Sequence, residues 1–397
     1  MRNRYRVALV IESSRSYGRG ILAGIAQYVR AYGPWTLYCQ DRGLNDSFPT
    51  WLARWKGDGI LIRADSPKME RRIEKRGIPA VNLRRQLTPR LPLVECDEQG
   101  IAQMAVGHLL ERGFRYFAYC GFAGLVYSEQ RRVNFSAAVA RAGYSCCEYE
   151  PPQGVEQGSH WDKEQHGLIY EQSLARWVES LPKPIGILAC SDLRAQQLLN
   201  ACRNSKMAVP EKVAVLGVDN DPLLCELSDP PLSSIDQDPV RVGYEAAALL
   251  ERLMQGKSKP AEPLRVAPLR VVARQSTDTL AIEDLEVAQA IHFIRRRACD
   301  GITVEDVLSH VPLNRVTLNR RFEKVLGHSP KAEIMRLQLE RVKQLLAETE
   351  LNQAEVARLA GFRYQEYMSA AFRERIGQTP GEFRAMCLRK VVARDSY

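Results

Sequence analysis

A two-lobed α/β body followed by an all-α unit is the architecture this sequence predicts, and three observations predict it. Short β-rich apolar runs alternate with helical stretches up to about residue 275, the order that builds parallel sheets covered by helices. That stretch is longer than one doubly wound sheet uses, so two lobes are expected. From Leu285 onward no strand is convincing, and residues 303–330 are related to 353–380 by an offset of 50.

Strand one is Arg6-Val7-Ala8-Leu9-Val10-Ile11. The helix after it, Arg19 to Tyr32, carries Ile21, Ile25, Tyr28 and Val29 at helical spacing. Further strands are expected at Thr36 to Cys39, Gly59 to Ile62 and Ala80 to Leu83. A second series follows at Tyr116 to Cys120, Ile185 to Cys190 and Val213 to Val218. The polar, aperiodic segment Asp278 to Asp284 marks the boundary. The expected units are therefore 1–277, a linker 278–284, and 285–397.

Composition narrows the function classes. No stretch approaches the ~18 apolar residues of a membrane span, so no membrane partner is expected. Ten cysteines lie singly apart from Cys146-Cys147, with no CxxC and no Cys/His cluster. That pattern predicts reduced thiols, a cytoplasmic setting, and neither structural zinc nor another cofactor. The formal charge is +9, and residues 285–397 hold 19 Lys and Arg against 14 Asp and Glu. A basic excess there favours an anionic partner, nucleic acid first.

The two C-terminal copies share one grammar: capped helix, tight turn, second helix, glycine stop. Thr303 with Asp306, and Asn352 with Glu355, open the first helices as capping pairs. The turns are Val311-Pro312-Leu313 and Gly361-Phe362-Arg363, and Gly327 and Gly377 stop the second helices. The second helices set Leu318, Phe322, Val325 and Leu326, or Met368, Phe372 and Ile376, on the apolar face. Two short helices joined this way form a helix-turn-helix, expected at about 303–326 and 353–376.

Residues 337–384 resemble the AraC/XylS signature through Leu337, Leu345-Leu346, Glu355-Val356-Ala357, Gly361-Phe362, Tyr367, Ser369, Phe372-Arg373, Gly377, Thr379-Pro380 and Phe383-Arg384. The resemblance implies that Ala332 to Thr349 is a linker helix between two recognition helices, which enter successive major grooves of operator DNA. It places the first base-reading face on Val316, Asn319 and Arg320, positions that helical spacing also sets opposite Leu318 and Phe322. Arg320 suits guanine and Asn319 adenine. The second face is Gln365, Glu366 and Ser369, with Ala370 where many relatives carry an Arg. Arg321 and Arg373 suit phosphates, with surface salt bridges as the alternative.

Residues 1–277 resemble the LacI/periplasmic-binding-protein-like sugar-sensor fold. The resemblance rests on Val215-Leu216-Gly217-Val218-Asp219-Asn220, Pro231 to Asp238, Ile187 to Asp192 and Val272 to Thr277. The whole chain resembles the xylose operon regulator family, a LacI-type sensor fused to an AraC-type module. The resemblance implies a monosaccharide effector in the cleft between lobes, held by Asp219, Arg131, Ser191 and Asp192. Arg132 leaves the register of Arg131 open by one residue, and helix capping is the alternative role for Asp192. The loop Glu12 to Tyr17, with Ser14 and Tyr17, is expected to line the same cleft, and Trp161 to offer a stacking surface. A homodimer is implied, with RNA polymerase a further partner if the protein activates. A competing class is an NAD(P)-binding oxidoreductase, suggested by Gly18, Gly20 and Gly24 after strand one and by Asp41. The glycines, however, read GxGxxxG rather than GxGxxG, and no catalytic pairing follows.

Overall fold

The apolar run after Arg6 becomes β1 (Tyr5–Val10), an inner strand of a parallel sheet, in the computed structural model of the chain. The structure describes residues 4–44, 46–64, 66–151, 162–164, 171–278, 284–349 and 351–386. Two compact units result, 1–281 and 282–397.

In the first unit, β1 lies between β2 (Trp35–Cys39) and β3 (Gly59–Ile62), and β4 (Ala80–Asn82) closes a four-stranded sheet. A short pair, β5 (Val94–Cys96) with β11 (Leu264–Val266), continues this lobe. The second lobe is a six-stranded sheet. It contains β6 (Tyr116–Cys120), β7 (Cys146–Glu148), β8 (Ile185–Ala189), β9 (Val213–Val218), β10 (Ser233–Asp236) and β12 (Arg270–Val272) in the order β12-β10-β9-β8-β6-β7. Only β12 runs antiparallel. Every residue of β8 and β9 is buried, as expected of parallel strands covered on both faces.

The chain passes between lobes three times, after β5, after β10 and after β11. Helix Pro239–Met254, which follows the second crossing, returns to pack on helix Ser16–Tyr32. There a Cβ on Gly24 would sit 1.9 Å from the Val240 carbonyl oxygen, and one on Gly243 2.0 Å from that of Ile21. Gly20 likewise abuts the Pro239 ring. Gly20 and Gly24 therefore serve helix–helix contact while Gly18 packs on the Glu12 backbone, the physical reason the run need not cradle a dinucleotide.

The second unit is all helical among its described residues. One core gathers Val287, Ile291, Ile294, Leu318 and Phe322. Another gathers Val342, Leu346, Val356, Met368 and Phe372. Helix Pro330–Glu348 serves both, giving Ile334 to the first and Leu339, Val342 and Leu345 to the second. No described helix is long and apolar enough to cross a membrane.

Candidate functional site: an inter-lobe cleft and a double helix-turn-helix

Between the lobes lies a cavity of about 690 Å³, lined from both sides, a size suited to burying a small ligand. Asp219 stands directly after β9 with φ 120°, and Asn220 follows with φ 51°. Two successive non-glycine residues with positive φ store strain, a pattern concentrated at binding sites. The Asp219 amide donates to Ile235 O at 3.0 Å, and its Oδ1 accepts from Gln237 Nε2. Burial pushes its carboxyl up to about 7, opposed by the cations of Arg131 and Arg63 and reinforced by Glu164 and Asp221.

Arg131, on helix Val126–Arg141, lines the cavity and Arg132 does not. It is buried in the cleft wall and grips Glu98 through Nε and Nη2, both at 2.8 Å. It also donates to Cys190 O, and at 3.3 Å to Gln237 Oε1. Arg132 points elsewhere and pairs with Glu129 and Glu148. Ser191 lines the cavity and caps helix Asp192–Asn204, accepting from the Arg194 amide. Tyr17 also lines it, with the Arg63 guanidinium 4.9 Å from its ring centre.

Two expected cleft residues lie elsewhere. Asp192 is fully buried behind the wall, where Oδ2 accepts from the Asp221 amide at 2.7 Å and Oδ1 from Ser234 Oγ at 2.5 Å. Both oxygens are used in tying the ends of β9 and β10 together, and the helix cap is Ser191 instead. Ser14 is exposed and outside the cavity lining, because the chain turns there and its amide donates to Arg42 O. Trp161 lies outside the described residues. Sequence reasoning passed over Arg63, Glu98, Glu164 and Gln237, all in the lining. Their signal is spatial: Glu98 and Gln237 meet Arg131 across 33 and 106 residues of chain.

In the helical unit both capping boxes form, Thr303 with Asp306 and Asn352 with Glu355. Gly327 and Gly377 stop their helices at φ 73° and 80°. The first turn closes through the Leu313 amide to Val311 O, and Asn314 caps helix Arg315–Leu326. On that helix Val316, Asn319 and Arg320 are exposed while Leu318 and Phe322 are buried. Arg321 is diverted. Its Nη1 lies 3.2 Å from both Asp284 oxygens and contacts Glu286, so the salt-bridge alternative describes it. On helix Gln365–Ile376, Glu366, Ala370 and Arg373 are exposed. Gln365 and Ser369 are half-buried, with Ser369 Oγ 3.5 Å from Gln353 Oε1.

The two motifs are stapled together. Buried Gln338 donates through Nε2 to Ala298 O at 3.0 Å and to Gly361 O at 3.1 Å. Gly361, at φ 82°, comes so close that an added Cβ would sit 2.8 Å from Ala298 O. The two motifs are thereby fixed in one body.

Comparison with known proteins agrees with both halves. Residues 6–90 match the model of the XylR N-terminal domain, 106–277 a periplasmic binding protein-like domain, and 308–386 a helix-turn-helix domain. The xylose operon regulatory protein of Haemophilus influenzae is 32% identical over 392 residues, covering 96% of this chain and 99% of the relative. That of Escherichia coli K12 is 32% identical over 393 residues, covering 96% and 97%. A solved structure described as xylose-binding transcription activator xylR superposes with a TM-score of 0.80 at 31% identity, covering 97% of this chain and 99% of that one. A CelR–cellobiose complex shares the sensor fold, at TM-score 0.52 and 24% identity over 70% of this chain. An AraC-type double helix-turn-helix joined to a LacI-type sensor, matched end to end by these regulators, makes the chain a DNA-binding transcription regulator of the xylose operon regulatory protein family.

Proposed function

We propose that the cleft takes D-xylose or a related monosaccharide and that its occupancy controls operator binding by the helical unit. The observation carrying this reading is the Asp219–Gln237–Arg131–Glu98 chain, which lines one wall of a cavity at the lobe crossings. Carboxylate, amide and guanidinium held by one another present fixed acceptors and donors, which is what a polyol's hydroxyls need. Asp219, Arg131 and Ser191 contact the sugar, and Tyr17 offers its ring to the C–H face. Glu98 and Gln237 hold Arg131 and Asp219 in place. Asn319 and Arg320 read bases in the first motif. Glu366 reads in the second, where Ala370 leaves a less discriminating face. Arg373 contacts phosphate.

In this reading the chain works in the cytoplasm as a homodimer, pairing two helical units on adjacent half-sites, and contacts RNA polymerase if it activates. It carries out no catalysis. A thermal-shift screen of pentoses, hexoses and polyols tests the effector assignment. D-xylose at 100 times its Kd should add about 2.7 kcal/mol of stability. A screen in which no sugar shifts the transition contradicts it.

A further inference from the structure

We propose that Arg15 and Glu164 form a clasp across the cleft that sets how fast the effector enters and leaves. The inference rests on the cleft being the effector site. Arg15 belongs to the loop after β1 in the first lobe, while Glu164 hangs from the second lobe. Arg15 Nη2 lies 2.7 Å from Glu164 Oε2, joining the lobes outside the three crossing strands. Both residues line the cavity that holds Asp219.

The anchor on the second lobe is built. The Glu164 carbonyl accepts from Gln197 Nε2 at 3.0 Å, and Gln197 Oε1 accepts in turn from Arg194 Nη1 at 2.9 Å. Glu164 Oε1 faces the Tyr127 hydroxyl at 3.4 Å. Gln197 and Arg194 are buried, and the Arg194 guanidinium lies 4.8 Å from the Phe122 ring centre and 5.0 Å from that of Tyr149. The Glu164 side chain is 9% exposed and that of Arg15 is 31% exposed. A glutamate whose backbone is held and whose carboxylate meets the Tyr127 hydroxyl loses less further freedom when Arg15 meets it, and its burial limits solvent screening. The clasp consists of protein groups alone, so it favours closed lobes whether or not a sugar is bound. A bias toward one of two states changes exchange kinetics even where no ligand contact changes.

Two measurements on the full-length chain test this, using Arg15→Ala, Glu164→Ala, the double variant and Arg15→Lys. In hydrogen exchange without sugar, amides of the loop 13–17 and of the segment after β9 should exchange about five-fold faster in either single variant. In stopped-flow fluorescence with D-xylose, the release rate should rise by a similar factor. In both, the double variant should be no faster than the singles, because one interaction is lost only once, and Arg15→Lys should recover much of the effect. Exchange unchanged from wild type, or single effects that multiply in the double variant, would overturn the clasp. If wild type ignores D-xylose while the variants show the predicted exchange pattern, the effector assignment is overturned and the clasp between the lobes stands.

Discussion

Asp219 is held with positive φ, partly buried, and flanked by two cations and two carboxylates. Its carboxyl is pushed up to about 7 by burial, against about 4 in an unfolded chain. Between those values folding takes up a proton, so this group's contribution is fully present below about pH 4 and is lost as pH rises to about 7. Asp219→Asn removes that loss. The variant should gain on wild type progressively from pH 4 to 7, by at most about 4 kcal/mol at ~1.4 kcal/mol per unit, while losing sugar affinity. Urea melts of both proteins across that range check it, and parallel pH curves would contradict it. In the helical unit, the partners of two neighbouring arginines separate their roles. Arg320→Ala should cost about 1–3 kcal/mol of operator affinity and relax specificity at one base step. Arg321→Ala should leave base preference unchanged, because that side chain is engaged by Asp284 and Glu286. Binding selections on a randomised operator distinguish the two.

At the scale of elements, glycines with the same backbone conformation differ in what surrounds them. Gly361→Ala places a Cβ within 2.8 Å of Ala298 O and Cys299 C, whereas nothing lies within 4 Å of a Cβ on Gly377. Gly377→Ala should therefore cost only the left-handed penalty, about 1–2 kcal/mol. Gly361→Ala should cost more and loosen the staple between the motifs; chemical denaturation of the two variants decides, and equal losses would argue against the staple. The alternation of β1, β3, β6, β8 and β9 with helices was legible because each strand is an apolar run that needs both faces covered. The capping boxes were legible because their partners are three residues apart. Glu164 and Arg15 are 149 residues apart, and Arg321 finds Asp284 37 residues away. Neither pairing leaves a periodicity to read. Asp192 departs from its expected place for a related reason: the strand motif locates it at the cleft end of β8, but only the fold shows both its oxygens taken behind the wall.

Across the whole molecule, each unit has its own hydrophobic cores, 1–281 around two sheets and 282–397 around two helical clusters. Residues 282–397 alone should then fold and bind operator DNA, with affinity falling steeply as salt rises. A folded fragment that shifts no promoter-derived DNA would undo the two-unit account. The sensor's last residues are pinned to its second lobe, with Arg112 Nε donating to Thr277 O at 2.8 Å and Ser276 Oγ to Val215 O at 2.6 Å. A change in the lobes therefore reaches Thr277 at a fixed point. In the proposed function cleft occupancy biases DNA binding, and a ligand can do so only through differential affinity for two states. The most direct measurement is an operator footprint of the full-length chain with and without D-xylose, repeated with Asp219→Ala. Wild type should give a sugar-dependent footprint, and Asp219→Ala an intact footprint that no longer responds. A variant that still responds to D-xylose, or that loses DNA binding while remaining folded, would contradict it.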